Sequence, residues 1–220
     1  MNKLLSASIM CADLNNLEKS VAELEDAGID LLHVDIMDGS FVPNITFGFD
    51  QVNAIKKISK ISLDVHMMVN DPARFIDRMN LDKNDIISVH YEADAHVHRT
   101  LERIKNCGIK AALALNPHTP VESIEYVTDY MDMLLVMTVS PGFAGQKLFA
   151  GAERKTKYAR EYLDSTGCQN IIIEVDGNIS PVNAQKLSAC GADVFVLGTS
   201  GLYVKDKTVA QAAADLRMVL

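Results

Sequence analysis

Several features are missing from this 220-residue sequence, and each absence narrows what the chain can be. It has no uncharged apolar run of about 18 residues, so no segment is expected to span a membrane. The opening MNKLLSASIM carries one lysine and too short an apolar stretch for a signal peptide. Four cysteines, Cys11, Cys107, Cys168 and Cys190, form no C-x-x-C pair. That spacing predicts free thiols in a reducing cytoplasm rather than a disulfide framework or a zinc knuckle. There is no basic run, and the net charge is −8. Neutralising a phosphate backbone needs clustered Lys and Arg, so nucleic acid is not an expected partner. No linker or low-complexity stretch divides the chain, and residues 1–220 are expected to form one domain.

What is present is a recurring pattern. Short apolar runs read Leu4–Ile9, Leu31–Ile36, Ile61–Met67, Ile86–His90, Lys110–Leu115, Met133–Val139, Ile171–Val175 and Val194–Leu197. They are near-continuous rather than alternating, as expected of strands covered on both faces. Amphipathic stretches lie between them; the first places Leu14, Leu17, Val21 and Leu24 at helical spacing behind a capping Asp13. Gly28, Gly108 and Gly191 each stand between a helical stretch and the next run, where a left-handed residue ends a helix. Thr119-Pro120-Val121-Glu122 reads as a capping box with proline at the first helical position, and Ser180-Pro181 as a similar start. Eight strands alternating with about eight helices predict an α/β fold, a parallel eight-stranded TIM (β/α)₈ barrel. An open doubly wound sheet has the same periodicity and is the competing architecture.

In a barrel the chemistry sits where strands end, and several strand ends here are polar. The second run ends His33-Val34-Asp35-Ile36-Met37-Asp38-Gly39, which puts His33 and Asp35 on one face. The third ends Asp64-Val65-His66-Met67-Met68, and the seventh Glu174-Val175-Asp176-Gly177. Alone, His33 reads as a hydrogen-bonded structural residue and Asp176 as a helix cap. Together, His33, Asp35, His66 and Asp176 make a donor set suited to Zn²⁺, Fe²⁺ or Mn²⁺. Two aspartates beside a metal also suit proton transfer next to a carbonyl, one carboxylate removing a proton and the other returning one to the opposite face. His90, at the end of the fourth run, is expected to support the site; His96, His98 and His118 are assigned nothing.

A second constellation is glycine-rich. Ser140-Pro141-Gly142-Phe143-Ala144-Gly145-Gln146, Gly177-Asn178 and Gly198-Thr199-Ser200-Gly201 follow the sixth, seventh and eighth runs. In such barrels these loops commonly hold a phosphate through backbone N–H groups, which an acidic chain can do without a basic cluster. Neither G-x-x-x-x-G-K-[ST] nor an early G-x-G-x-x-G is present, so no nucleotide site is expected. Met37, Met68 and Met137 close three runs, either as core packing or as an apolar wall around reacting carbons.

Taken in order, HVDIMDGSFVPNITFG, DVHMMV, ALNPHTP, MTVSPGFAGQ and EVDGNI resemble the ribulose-phosphate 3-epimerase family, from Ser6 to Tyr203. The resemblance implies a homo-oligomeric TIM barrel that interconverts ketose phosphates differing at C3. It implies one divalent metal per subunit, Zn²⁺ first with Fe²⁺, Mn²⁺ or Co²⁺ as alternatives, held by His33, Asp35, His66 and Asp176. Asp35 and Asp176 would also be the acid/base pair. Ser8 resembles a substrate-contacting serine, with His66 beside it, and Met37, Met68 and Met137 match a methionine cap. The phosphate would lie against Gly142, Phe143, Ala144 and Gly145, against Gly177 and Asn178, and against Gly198 and Thr199. Pentulose-phosphate members usually read GFGGQ, DGGI and GSA where this chain has GFAGQ, DGNI and GTSG. GFAGQ with GTSGL is similar to allulose-6-phosphate 3-epimerases, whereas FVPNITFG and DVH look like the pentulose enzymes. D-Ribulose 5-phosphate, converted to D-xylulose 5-phosphate in the pentose phosphate pathway, is the expected substrate. D-Allulose 6-phosphate, converted to D-fructose 6-phosphate, is the alternative. A non-catalytic phosphosugar-binding barrel would be expected to lose an aspartate or a histidine of the set, and none is missing. A Schiff-base aldolase needs a lysine at a strand end, and there is none; the related decarboxylases carry D-x-K-x-x-D, which DIMDG does not supply.

Overall fold

The structure is a computed structural model and describes residues 3–220. Eight parallel strands close into a barrel in chain order: β1 Leu4–Ser8, β2 Leu31–Met37, β3 Ser62–Met68, β4 Ile86–His90, β5 Lys110–Leu115, β6 Met133–Met137, β7 Ile172–Asp176 and β8 Val194–Leu197. β8 pairs back onto β1, with Ala7 opposite Leu197, so the sheet has no edge and the open-sheet alternative is excluded. Every predicted run became a strand, with ends displaced by two residues at most.

The helices differ from expectation. Six α-helices lie among the described residues: α1 Leu17–Asp26, α2 Phe49–Ile58, α3 Val97–Asn106, α4 Ala152–Ser165, α5 Pro181–Ala189 and α6 Val209–Val219. β3 reaches β4 through a 3₁₀ segment, Pro72–Arg78, and β5 reaches β6 through two short ones, Val121–Ile124 and Thr128–Tyr130. The capping box predicted at Thr119 is therefore overturned. Pro120 is extended (φ −60°, ψ 145°), and the Thr119 hydroxyl donates to the Glu92 carboxylate instead of capping a helix. Asp13 does cap, accepting from the N–H of Asn15 at 3.0 Å, but it opens a 3₁₀ turn ahead of α1. Ser180 caps α5 as expected, and Gly28, Gly108 and Gly191 all take positive φ after their helices.

Alternation along the strands separates two kinds of interior. Outward-facing residues such as Leu32, Val34, Val65, Ile87, Leu134 and Phe195 are fully covered by the helical layer and belong to the main apolar core. Each such side chain contributes about 1.5–3 kcal/mol by leaving water. Inward-facing residues form a graded lumen. Leu31, Ile86, Ala112, Met133 and Val194 plug its lower end. Above them the lumen is polar, with Ser6, His33, Asp64 and Glu174, and then Ser8, Asp35, His66, His90 and Asp176 at the end where the strands stop. The fold thus keeps its stabilising surface outside the barrel and leaves the upper lumen for chemistry. Among the described residues no helix is long and apolar enough to cross a membrane.

Candidate active site

Strand register assembles the predicted ligand set. β2 carries His33 and Asp35 two residues apart on the lumen face, and the β2–β3 register puts His66 directly opposite Asp35. Asp176 ends β7 across the barrel. One oxygen of Asp35, Oδ1, lies 3.3 Å from His33 Nε2 and 3.3 Å from His66 Nδ1. His66 Nδ1 is also 3.7 Å from Asp176 Oδ2. One donor atom from each of the four residues falls within 4.8 Å of the others. His33 Nε2 and His66 Nδ1 are fully buried, and neither makes a hydrogen bond. A buried ring nitrogen without a partner costs free energy unless something else takes its lone pair. Two of them aimed at two carboxylates therefore fit a divalent cation, and these four residues could hold one.

The electrostatics separate the two aspartates. Burial opposes ionisation of Asp35, but the His33 and His66 rings outweigh it and hold its pKa below the usual carboxylate range. Its Oδ2 also accepts from the Ser8 hydroxyl at 3.0 Å. Asp176 is pushed upward, first by burial and then by the charge of Asp35. Burial likewise disfavours a charged His33, yet Asp64 and Asp35 raise its pKa well above the ordinary value.

A second polar layer beneath the site went unassigned in the sequence reading. Asp64 Oδ2 lies 2.6 Å from His33 Nδ1 and accepts from the Ser6 hydroxyl at 2.9 Å. Glu174 is fully buried, neither of its oxygens has a hydrogen-bond partner, and burial with the nearby Asp64 charge raises its pKa well above normal. The signal was there: Ser6, Asp64 and Glu174, like the assigned His33, each precede a site residue by two positions, which is the strand period. His90 supports the site as expected. Its Nε2 is 2.8 Å from His66 Nε2, and its Nδ1 is 3.2 Å from Glu92 Oε2.

Above the cluster is a cleft of about 560 Å³, counted to its open mouth. Ser8, Asp35, Met37, Met68, Met137, Asp176 and the loop residues Gly142, Phe143, Ala144, Gly145, Gly177, Asn178, Gly198 and Thr199 all line it. Cys11 lines it too and was not anticipated. His33 and His66 do not; with no exposed surface they lie under its floor, so the predicted contact between His66 and substrate has no direct route here. Met37 and Met68 pack together with Val42, while Met137 packs separately on Ala114 and Leu135. Gly177 has φ +120°, and a Cβ there would lie 2.5 Å from a Val139 methyl, so no other residue fits without movement. The backbone N–H groups of Gly177, Asn178, Gly198 and Ser200 donate to no oxygen among the described residues. These free donors at one end of the cleft suit an anion. The Asn178 side chain is committed elsewhere: it donates to the Gln146 carbonyl at 2.6 Å and accepts from Asn183 at 2.9 Å. It ties two loops together at the edge of the cleft, with its backbone in the left-handed region at φ +55°.

Known proteins resemble this chain in sequence and in fold. The model of the ribulose-phosphate 3 epimerase family matches residues 4–203. A ribulose-phosphate 3-epimerase from Bacillus subtilis (strain 168) is 42% identical over 196 residues, which is 89% of this chain and 90% of that protein. A chloroplastic ribulose-5-phosphate-3-epimerase from Arabidopsis thaliana is 41% identical over 205 residues, 92% of this chain and 73% of its own length. Among solved structures, orotidine 5'-phosphate decarboxylase from Pyrococcus horikoshii OT3 superposes with a TM-score of 0.65 at 14% identity, covering 98% of each chain. Phosphoribosyl anthranilate isomerase from Thermus thermophilus gives 0.66 at 15% identity, covering 98% of this chain and 97% of its own. At such identities these structures are shared evidence of the barrel fold alone.

Proposed function

Because the chain belongs to the ribulose-phosphate 3-epimerase family, and so is an isomerase, we propose that it inverts C3 of D-ribulose 5-phosphate to give D-xylulose 5-phosphate. The observation that carries this reading is the placement of Asp35 and Asp176 in one cleft, with carboxylate oxygens within 4.8 Å and their pKa values pushed in opposite directions. Carboxylates separated in this way divide the work of acid and base. Asp35, held ionised, takes the C3 proton from one face; the C3–H electron pair becomes the C2–C3 double bond while the C2–O π pair moves onto oxygen, giving an enediolate. Asp176, whose surroundings favour its protonated form, delivers a proton to the opposite face of C3 as the C2 carbonyl re-forms, which leaves the inverted centre. In the reverse direction the two exchange roles. Met37, Met68 and Met137 keep water from the planar intermediate, and the free N–H groups of Gly177 and Gly198, with the Gly142–Gly145 loop, hold the phosphate.

His33, Asp35, His66 and Asp176 would hold a divalent metal, zinc by donor preference. Such an ion, when bound, supplies Lewis-acid stabilisation for the negative charge that builds on the C2 oxygen. The relatives' names favour the five-carbon substrate over allulose 6-phosphate.

Two measurements test the reading. Purified protein should turn over D-ribulose 5-phosphate with a higher kcat/KM than D-allulose 6-phosphate; the reverse order would replace the substrate. Asp35→Asn and Asp176→Asn should each lower net epimerisation at least about 10²- to 10⁴-fold. Each should still exchange the C3 hydrogen of one epimer with deuterium from solvent, and the two variants should prefer opposite epimers. An Asp176→Asn enzyme that epimerises at near wild-type rate would leave a single mobile base as the mechanism.

A further inference from the structure

We infer that Glu92 is a positioning residue: acting through His90, it sets the tautomer of His66 so that the Nδ1 lone pair faces the metal-holding cluster. This rests on the metal reading above and follows from counting protons along one line of hydrogen bonds. His66 Nδ1 is the atom that faces Asp35 at 3.3 Å and Asp176 at 3.7 Å. To act as a ligand it must be unprotonated, so in neutral His66 the proton sits on Nε2.

That nitrogen lies 2.8 Å from Nε2 of His90. The two rings meet edge to edge, with centroids 5.0 Å apart and planes inclined by 26°. Only one of the facing nitrogens can carry the hydrogen. If His66 donates, His90 accepts through Nε2 and must carry its own proton on Nδ1. His90 Nδ1 lies 3.2 Å from Glu92 Oε2, and an ionised carboxylate only accepts. Glu92 therefore demands a donor at one end of the line, and the neutral His90 ring passes that demand to His66. The opposite sequence of protons would place a hydrogen on His66 Nδ1, inside the ligand set.

His33 achieves the same end more directly, since its Nδ1 meets Asp64 Oδ2 at 2.6 Å. Metal-binding histidines usually donate their second N–H to a carboxylate, carbonyl or water. Here one ring has the carboxylate beside it and the other has it one imidazole away. The other oxygen of Glu92 fixes the direction of the effect. Oε1 accepts from the backbone N–H of Asn116 at 2.9 Å and from the Thr119 hydroxyl. In Glu92→Gln the amide oxygen must stay on that side, because the Asn116 N–H cannot accept. The amide NH₂ then faces His90 Nδ1 and reverses every proton along the line.

The test uses the full chain labelled with ¹⁵N-histidine. Two-bond proton–nitrogen correlations in the metal-stripped protein report the His66 tautomer, and competition with a chelator reports Zn²⁺ affinity. Wild type should show His66 protonated on Nε2. Glu92→Gln should show Nδ1 protonation and bind Zn²⁺ about 10- to 100-fold more weakly. An unchanged tautomer, with Zn²⁺ affinity within about threefold of wild type, would overturn the inference. If Glu92→Gln does not fold, His90→Gln and His90→Leu decide it. Glutamine keeps an acceptor for the His66 Nε2–H and leucine does not, so equal Zn²⁺ affinities in the two would overturn the relay. A wild-type chain that binds no divalent cation would sink the metal reading alone, because the tautomer is measured without metal.

Discussion

Replacing Gly177 by alanine tests how the anion-facing loops are built. Gly177 leaves β7 with φ +120°, and an added Cβ would lie 2.5 and 2.7 Å from the two Val139 methyls and 2.9 Å from its Cβ. Two costs follow. Holding an alanine at that φ takes about 1–3 kcal/mol. Forcing a methyl into packed side chains takes a further 1–3 kcal/mol, roughly. Val139 has little room to yield: it is buried, and the neighbouring Thr138 hydroxyl lies 2.8 Å from the Asp176 carbonyl and 2.6 Å from that of Gly177. The expected loss is about 4 kcal/mol, which for a chain of this size lowers Tm by roughly 8–16 °C.

Urea unfolding followed by circular dichroism measures the loss, and the KM for substrate should rise because the Gly177 N–H is displaced with the loop. Val139→Ala provides the internal check. Alone it should cost about 1.6 kcal/mol for two buried methyl groups. Combined with Gly177→Ala it should recover the overlap, giving a coupling of at least about 1 kcal/mol, while the φ strain remains. Additive losses would show that the Val139 contact is not the obstacle. A Gly177→Ala protein within about 1 kcal/mol of wild type, with unchanged KM, would refute the whole argument.

Three further outcomes are expected. His66→Ala should lower both metal content after chelator-free purification and activity; a full metal complement measured by elemental analysis would remove His66 from the ligand set. Gly198→Val should raise KM several-fold, since even a Cβ at that position comes within 3.2 Å of Cys11 Sγ and the branches extend into the cleft. Equal kcat/KM for ribulose and its phosphate in the wild type would contradict the anion role of that loop. Burial opposes ionisation of Glu92, but hydrogen bonds from His90, Thr119 and the Asn116 N–H outweigh it and lower its pKa from 4.5 to about 2. A depressed carboxylate stabilises the fold fully above its unfolded pKa, and that contribution is lost as pH falls from about 4.5 toward 2. Glu92→Gln should flatten this acid limb by on the order of 1–3 kcal/mol in urea unfolding at pH 5 and pH 2.5. Identical slopes would mean that Glu92 is not the group titrating.

Legibility in the sequence follows the physics of each element. The strands could be read because both faces of each are covered, which makes β2, LLHVDIM, stand out against any helix or loop. Two connections misread as helices are short 3₁₀ segments, and the Thr119-Pro120-Val121-Glu122 pattern that suggested a cap has its hydroxyl drawn off by Glu92, a partner 27 positions away. No local pattern encodes that competition. Asn178 shows the same limit: DGNI admits either a side-chain contact to the phosphate or a residue that tolerates a left-handed turn, and the observed φ of +55° with hydrogen bonds to Gln146 and Asn183 depends on how two loops meet.

Apart from His33, the candidate site was legible only in its upper layer, and the reason lies in what a strand tells about depth. Alternation says that Asp64 and His66 share a face, as do Glu174 and Asp176, but it does not say which member of each pair sits at the mouth and which is sealed below. Register does. Once β2 and β3 are aligned with His33 opposite Asp64 and Asp35 opposite His66, one acidic residue falls under a ring nitrogen and the other beside the cleft. A buried carboxylate with no visible partner looks unfavourable in a sequence, so Asp64 and Glu174 invite dismissal as strand-end residues. In three dimensions Asp64 engages Nδ1 of His33 and so leaves Nε2 as the atom that faces the cluster, while Glu92 orients His66 through His90. The residues that touch a ligand can be recognised by type and spacing. Those that orient them become visible only when the barrel has closed and the proton on each ring has been placed.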